Sequence, residues 1–348
     1  MAFYDGNKLL TLKDINGNDP EIFICTTNRN AGKTTYFGKY LINRYKNKSE
    51  KFALLYRYDY DLEGAGEKFF SNLQALFFPS DKIGEKAQGE GKYTALFLND
   101  KCCGYALALN NAKYYRQFSQ YFSDVKRIFF DEFQPEDELD YVRNEVTKFR
   151  SLHTSLARGG GKQIRYLPVI MTGNPYSIIN PYYSALGISD RLNRNTRFIR
   201  GAGWVLEQGF NESAAQAAKG SAFNQAFENH TYFDDIGQGV YLNDSAQFMQ
   251  TPKGKNRYLC SLKYKTKIYG VRIYDDAGIV YIDSTADETN LLKIAVTNSD
   301  MTPNFISVNQ NKYLVKMLRK YFDAGACRFK NQDCKRALFA LLSIPITK

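Results

Sequence analysis

Two short clusters in this 348-residue chain carry residue types suited to chemistry on a phosphate ester: Gly32-Lys33-Thr34 and Asp131-Glu132. Lys33 can meet the outer phosphates of a nucleotide as a point charge, and the Thr34 hydroxyl can ligate Mg2+. Asp131 would hold Mg2+ through water, and Glu132 would polarise an attacking water as general base. Thr34 and Asp131 are therefore the expected metal-holding residues. The backbone N–H groups from Asn28 through Arg29, Asn30, Ala31, Gly32, Lys33, Thr34 and Thr35 would cradle the phosphates.

Both clusters need elements to position them. Ile22-Phe-Ile-Cys25 is a short apolar run that reads as a buried strand, and Tyr36 to Tyr45 has apolar residues at helical spacing. Strand, loop, Gly-Lys-Thr, helix is the order of a phosphate-binding P-loop, although Thr27 stands where the usual pattern has its first glycine. Lys126 to Phe133 reads as an apolar strand that delivers Asp131 and Glu132 at its carboxyl end, where ligands bind in parallel sheets. Lys51 to Tyr58 reads as a second strand. Arg57 then falls near a place where a nucleotide base could stack, or at an ordinary strand terminus.

Further along, the sequence predicts a surface loop or hairpin at Asp81–Lys92 and a hairpin of Thr94–Leu98 with Gly104–Leu109. A helix is expected over 136–157, and a core strand at Tyr166–Thr172 that leads into Gly173-Asn174-Pro175. The helix ends at Arg158-Gly-Gly-Gly161, a strong stop signal. It lies among Arg143, Lys148, Arg150, Arg158, Lys162 and Arg165, with Glu145 the one acid from Arg143 to Arg165. Residues 205–246 are rich in Gly, Ala, Ser, Gln and Asn and read as a linker. A β-rich region follows, with a long first strand from Tyr258 to Ile268 and a turn at Asp275–Gly278. Helices at Asn311–Ala324 and Gln332–Leu342 close it, so an α+β domain is expected.

Composition narrows the partners. The net charge is +11. From Gln247 to Lys348 there are 17 Lys and Arg against 8 Asp and Glu, so most of the excess lies there, which suggests a polyanionic partner. No apolar run approaches the roughly 20 residues of a membrane span, and Met1 to Gly6 does not look like a signal peptide. Six Cys without CxxC spacing and two His give no zinc-site pattern, so reduced thiols in a cytoplasm are expected.

Taken in order, Asn28 to Thr34, Ile128 to Phe133, Arg158 after a helix, Thr172-Gly-Asn-Pro175 followed by Asn180-Pro-Tyr-Tyr183, and Tyr269-Gly-Val-Arg with Tyr281-Ile-Asp-Ser resemble the genome-packaging ATPases of phi-29-like small tailed phages. The resemblance covers nearly the whole chain. It implies an ASCE-type P-loop ATPase domain of α/β class (1–204), a parallel sheet with helices on both faces. A linker or lid (205–246) and an RNase H-like α+β domain without nuclease acids (247–348) would follow. The implied activity is MgATP hydrolysis that drives double-stranded DNA into a capsid. The implied assembly is a homomeric ring, a pentamer, at the prohead portal in the host cytoplasm, with portal protein or packaging RNA as further partners.

The resemblance also implies roles. Arg29 would sense nucleotide in cis, Asn174 would sense the γ-phosphate, and Arg158 would act as an arginine finger on the neighbouring subunit, with Arg116 a further trans-acting candidate. Asp59 stands where the family would place a basic residue, so that role is not carried over. Alternatives are a nuclease-competent terminase large subunit, a binding protein switched by nucleotide, and a helicase. The first would need several convergent carboxylates in the C-terminal domain; the expected strand Tyr258–Ile268 has none, and Asp283 alone is insufficient.

Overall fold

The structure is a computed structural model that describes residues 4–135, 140–158, 163–189, 191–192, 197–219, 248–287, 289–307 and 311–344. The chain divides into two units: Met1–Tyr176 with Thr196–Val240, and Ser177–Asn195 with Tyr241–Lys348. The stretch expected as one N-terminal domain is thus interrupted, because Ser177–Asn195 groups with the C-terminal residues.

In the first unit, α1 (Asn7–Thr11) leads to β1 (Ile22–Thr26), α2 (Lys33–Lys48), β2 (Lys51–Tyr56) and α3 (Ala65–Phe77). Then come β3 (Ile83–Gln88), β4 (Tyr93–Leu98), β5 (Lys101–Ala108), α4 (Ala112–Gln117), β6 (Val125–Phe130), α5 (Glu145–Leu156) and β7 (Val169–Gly173). After α6 (Pro181–Leu186), which belongs to the second unit, β8 (Phe198–Gly201), β9 (Trp204–Gln208) and α7 (Glu212–Lys219) complete the first. The nine strands form one sheet in the order β3-β4-β5-β2-β6-β7-β1-β9-β8. The run from β5 to β9 is parallel throughout, and β3, β4 and β8 are antiparallel at the edges. Its central strands are continuous apolar runs, such as Phe52-Ala-Leu-Leu55 and Val169-Ile-Met171, because a parallel sheet is covered on both faces. Helix α2 contributes Phe37, Leu41 and Ile42 to that core, one stripe at helical spacing.

Several expected boundaries move, each for a physical reason. Strand β2 stops at Tyr56 and β6 at Phe130, so Arg57, Asp131 and Glu132 sit just beyond strand ends. Strand β7 starts after Pro168, which has no N–H for a ladder. Of the helix expected at 136–157, residues 136–139 lie outside the described ones, and from 140 onward the helix covers Glu145–Leu156. Asn144 before it is left-handed (φ 58°), and the Glu145 carboxylate accepts the Val142 N–H. The Asp81–Lys92 segment forms a hairpin strand, β3, on β4. The expected linker loses its first part: Val205–Gln208 lie in β9, paired with β1, and α7 follows. Residues 220–247 of that linker lie outside the described residues.

The second unit holds α6, β10 (Arg257–Tyr264), β11 (Lys267–Tyr274), β12 (Ile279–Asp283), β13 (Lys293–Ala295), β14 (Ile306–Ser307), α8 (Lys312–Asp323), β15 (Cys327–Phe329) and α9 (Gln332–Leu342). Its sheet runs β14-β13-β10-β11-β12-β15. Strands β10, β11 and β12 make an antiparallel meander, and β13, β14 and β15 add in parallel. The long strand expected from Tyr258 to Ile268 is instead two strands. Lys265 and Thr266 both adopt positive φ (49° and 68°) in a tight turn. That turn normally advertises itself by Asn-Gly, which is missing here.

Candidate functional site

The loop between β1 and α2 is shaped by two left-handed residues, Asn30 (φ 61°) and Gly32 (φ 91°). Glycine adopts this backbone freely and asparagine tolerates it. Helix α2 then begins with no acidic residue in its first turn and no side-chain cap, which leaves its N-terminal N–H groups open to an anion. Thr27, in place of a glycine, is buried. Its N–H donates to Gly173 O at 3.3 Å, and a Cβ on Gly209 would lie 3.0 Å from its methyl group. A side chain at loop entry is therefore accommodated by a glycine across from it.

Lys33 is buried at the base of this loop, and its Nζ donates to Asn174 Oδ1 at 2.7 Å and to Thr27 O at 3.3 Å. Burial lowers its pKa, opposed by the nearby Cys25, Asp131 and Glu132. Asn174 Nδ2 donates to Tyr176 Oη at 3.1 Å, and Arg29 Nη2 donates to the same oxygen at 2.8 Å. Lys33, Asn174, Tyr176 and Arg29 thus form one chain of hydrogen bonds across two loops. Tyr176 went unremarked in the sequence, although it lies only two residues beyond Asn174. Asn28 points elsewhere: it exchanges two hydrogen bonds with the Asn211 backbone (3.0 and 2.8 Å), which fastens the loop to the residue preceding α7. Thr34 is exposed and Thr35 half-buried on the first turn of α2.

Across β7, the acid pair lies at the end of β6. Asp131 Oδ1 accepts from the Thr172 hydroxyl and, at 3.0 Å, from the Glu132 N–H. Both bonds fall on Oδ1, which leaves Oδ2 for a ligand. Glu132 has φ 52°, a strained value for a residue with a Cβ, and such strain collects at functional sites. Solvent reaches Glu132, yet the surrounding protein desolvates its carboxylate and raises its pKa, and Asp131 adds to the rise. Arg29, Arg57 and Lys33 oppose it. Among the described residues no group of three His, Cys, Asp or Glu forms a metal cage. One carboxylate and one hydroxyl, Asp131 and Thr34, are hard oxygen donors that suit Mg2+, an ion that keeps its waters and bridges to substrate phosphates.

Arg57 is not available to stack on a base. Its Nη1 donates to Glu132 O at 2.7 Å, its Nη2 to Phe133 O, and its Nε to Glu145 Oε2 at 3.1 Å. Its guanidinium lies over the Phe130 and Tyr141 rings, 5.2 Å from each centroid. In the sequence Glu145 stood out only as the one acid in a basic stretch. Arg158 is exposed just beyond α5. The Arg165 N–H donates to Ala157 O, and its Nη2 donates to Leu156 O at 2.6 Å. Gly159–Lys162 lie outside the described residues. Lys33, Asn174, Arg29, Asp131 and Glu132 are therefore gathered in one unit at the carboxyl ends of β1, β7 and β6. Arg116, in the last turn of α4, is exposed.

The family described as Podovirus DNA encapsidation protein (Gp16) matches residues 1–344, and this chain belongs to it. The DNA packaging protein of Bacillus phage phi29 is 23% identical over 316 residues, covering 90% of each chain. That of Bacillus phage B103 is 26% identical over 309 residues, covering 87% of this chain and 91% of the relative. Among solved structures, the fold is similar to a chain of the bacteriophage Phi-29 viral genome packaging motor assembly (TM-score 0.57, 23% identity, 95% of each chain). It is also similar to the Phi-28 gp11 DNA packaging motor (TM-score 0.59, 17% identity, 98% of each chain).

Proposed function

We propose that this chain is the ATP-driven subunit of a motor that moves double-stranded DNA into a phage prohead. The observation that carries the reading is the convergence of Lys33, Asn174 and the Asp131–Glu132 pair at the ends of adjacent parallel strands, in a chain of the DNA encapsidation family. The β1–α2 loop acts as a P-loop: its N–H groups from Asn28 to Thr35 and the Lys33 ammonium bind the phosphates of ATP. Asp131 and Thr34 would hold Mg2+, which would supply positive charge against the phosphates. Strand β7 lies between the P-loop strand and the acid strand, which supports the ASCE assignment.

Glu132 accepts a proton from water as that water attacks the γ-phosphorus, and ADP leaves with the bond pair. The raised pKa of Glu132 suits a base that must take a proton near neutral pH. Asn174, linked through Tyr176 to Arg29, senses the γ-phosphate, and Arg29 senses the nucleotide in its own subunit. Arg158 completes the neighbour's site in a homomeric ring, a pentamer, at the portal vertex of a prohead in the host cytoplasm.

The second unit binds the prohead, through portal protein or packaging RNA, and adds contacts to DNA phosphates. Its meander β10-β11-β12 with parallel strands beside β10 supports an RNase H-like assignment. Nuclease chemistry is not part of the proposal. Asp283, the carboxylate on the meander, is bound by Arg272 Nε at 2.9 Å and by the Thr285 N–H at 2.7 Å.

The test is ATP hydrolysis and DNA packaging by the full chain with proheads, for the parent, Lys33→Ala and Glu132→Gln. Loss of both activities in both variants, with nucleotide binding kept by Glu132→Gln, is the expected result. Packaging by Lys33→Ala at the parent rate would overturn the proposal.

A further inference from the structure

The acid turn is held from one side by a buried ion pair that the proposed chemistry does not use. Arg57 and Glu145 have side chains 10% and 0% exposed and are separated by 88 residues in sequence. Burying two charges is costly unless their remaining valences are satisfied, so such a pair persists where its geometry does something. Here the guanidinium nitrogens and one carboxylate oxygen have named destinations. Glu145 Oε2 takes the Arg57 Nε–H and the Val142 N–H at 2.8 Å. The two outer nitrogens of Arg57 reach consecutive carbonyls, those of Glu132 and Phe133. The plane of the guanidinium is set by Phe130 and Tyr141. A fork of this shape fixes the orientation of what it grips, which an ammonium cannot do.

What it grips is the peptide that follows the strained Glu132 backbone. A residue with a Cβ stays at φ 52° only when its surroundings over-determine it. We propose that Arg57 is a positioning residue for hydrolysis: anchored on Glu145, it clamps the carbonyls of Glu132 and Phe133 and so fixes the left-handed turn that presents the Glu132 carboxylate. This rests on Glu132 being the base, as proposed above. It replaces contact with the nucleotide by action through the turn.

Two readouts separate the clamp from a nucleotide contact. A misplaced base costs turnover while leaving binding in place; displacement by about 1 Å costs about 10²-fold. Arg57→Ala in the full-length chain is expected to lower kcat by about that factor, with the Kd for a fluorescent ATP analogue changed less than about threefold. Arg57→Lys keeps the charge but not the fork. It is expected to bind the nucleotide analogue as the parent does and still lose most of kcat.

A rise in Kd that accounts for the whole loss in kcat/KM, or Arg57→Lys at the parent rate, overturns the proposal. If Arg57→Ala melts out because Glu145 is left buried and unpaired, Arg57→Ala with Glu145→Gln replaces it in the same assays, with the same two outcomes. Glu132→Gln runs alongside: hydrolysis by it at the parent rate would overturn the assignment of the base, independently of any result at Arg57.

Discussion

Lys33 and Asn174 are 141 residues apart in sequence, and their side chains meet at 2.7 Å, Nζ to Oδ1. The bond joins the helix that follows β1 to the loop that follows β7. A ligand that draws Lys33 toward its phosphates must also act on Asn174, and through Tyr176 on Arg29. The link reaches Tyr176, after which the chain passes into the second unit at Ser177.

Asn174→Ala should therefore lower both nucleotide affinity and turnover. It leaves the buried Lys33 with only the longer bond to Thr27 O. A hydrogen bond to a charged group is worth about 1.5–3 kcal/mol, which corresponds to a loss of about 10- to 100-fold in kcat/KM. Steady-state ATPase assays beside nucleotide titrations measure it. Parent-like kinetics would mean that the Lys33–Asn174 bond plays no part in the reaction.

Glu132→Gln should behave oppositely in stability and in activity. The folded-state pKa of Glu132 is raised, chiefly by desolvation and then by Asp131. Between the ordinary glutamate value of about 4.3 and that raised value, the folded chain binds more protons than the unfolded one. Stability from this group therefore falls as pH rises through that window, and ionised Glu132 is destabilising at neutral pH. Glu132→Gln is expected to melt above the parent at pH 7, with the gap closing toward pH 4, while hydrolysis drops by about 10²–10⁴-fold. Nucleotide-free melting curves across pH test the first part. A Gln variant that melts lower at neutral pH contradicts the sign of the shift.

These residues were legible because the chemistry is local in sequence. Apolar strand, Gly-Lys-Thr and apolar helix sit within one short stretch, and Asp131-Glu132 closes an apolar run. The Arg57–Glu145 clamp was not legible, since nothing in the sequence ties residues that far apart. Strand β9 was hidden because the polar, alanine-rich stretch after it dominated the composition of 205–246. The Lys265-Thr266 turn was missed for lack of a glycine or asparagine at positions with positive φ. In each case tertiary context, not local propensity, decided the outcome.

The second unit offers a test of charge. On α8 the apolar face, Leu314, Val315, Leu318 and Phe322, is buried, while Tyr313, Lys316 and Lys320 are exposed. If this face meets nucleic acid phosphates, log affinity falls with log salt by about 0.9 per neutralised phosphate on duplex DNA. Lys316→Glu with Lys320→Glu in the full chain is expected to weaken duplex binding at low salt and flatten that slope by about 1–2. Filter binding across a salt series measures both. An unchanged slope with normal folding would remove α8 from the DNA-facing surface.

Arg158 carries the last prediction. It is exposed immediately after α5. In the proposed ring its guanidinium would enter a neighbouring copy's pocket and stabilise charge on the phosphoryl group in transit, an effect worth about 10³–10⁵ in rate. Arg158→Ala should then bind ATP in its own pocket and hydrolyse it poorly. Mixing Arg158→Ala with Lys33→Ala makes the location of the effect visible. At a pocket of the Arg158→Ala chain whose neighbour is the Lys33→Ala chain, both Lys33 and Arg158 are intact, so mixed rings should regain some ATPase. At the opposite junction both are missing, so recovery is partial by construction. Co-assembled mixtures that recover nothing would place Arg158 in its own subunit's site or remove it from the reaction.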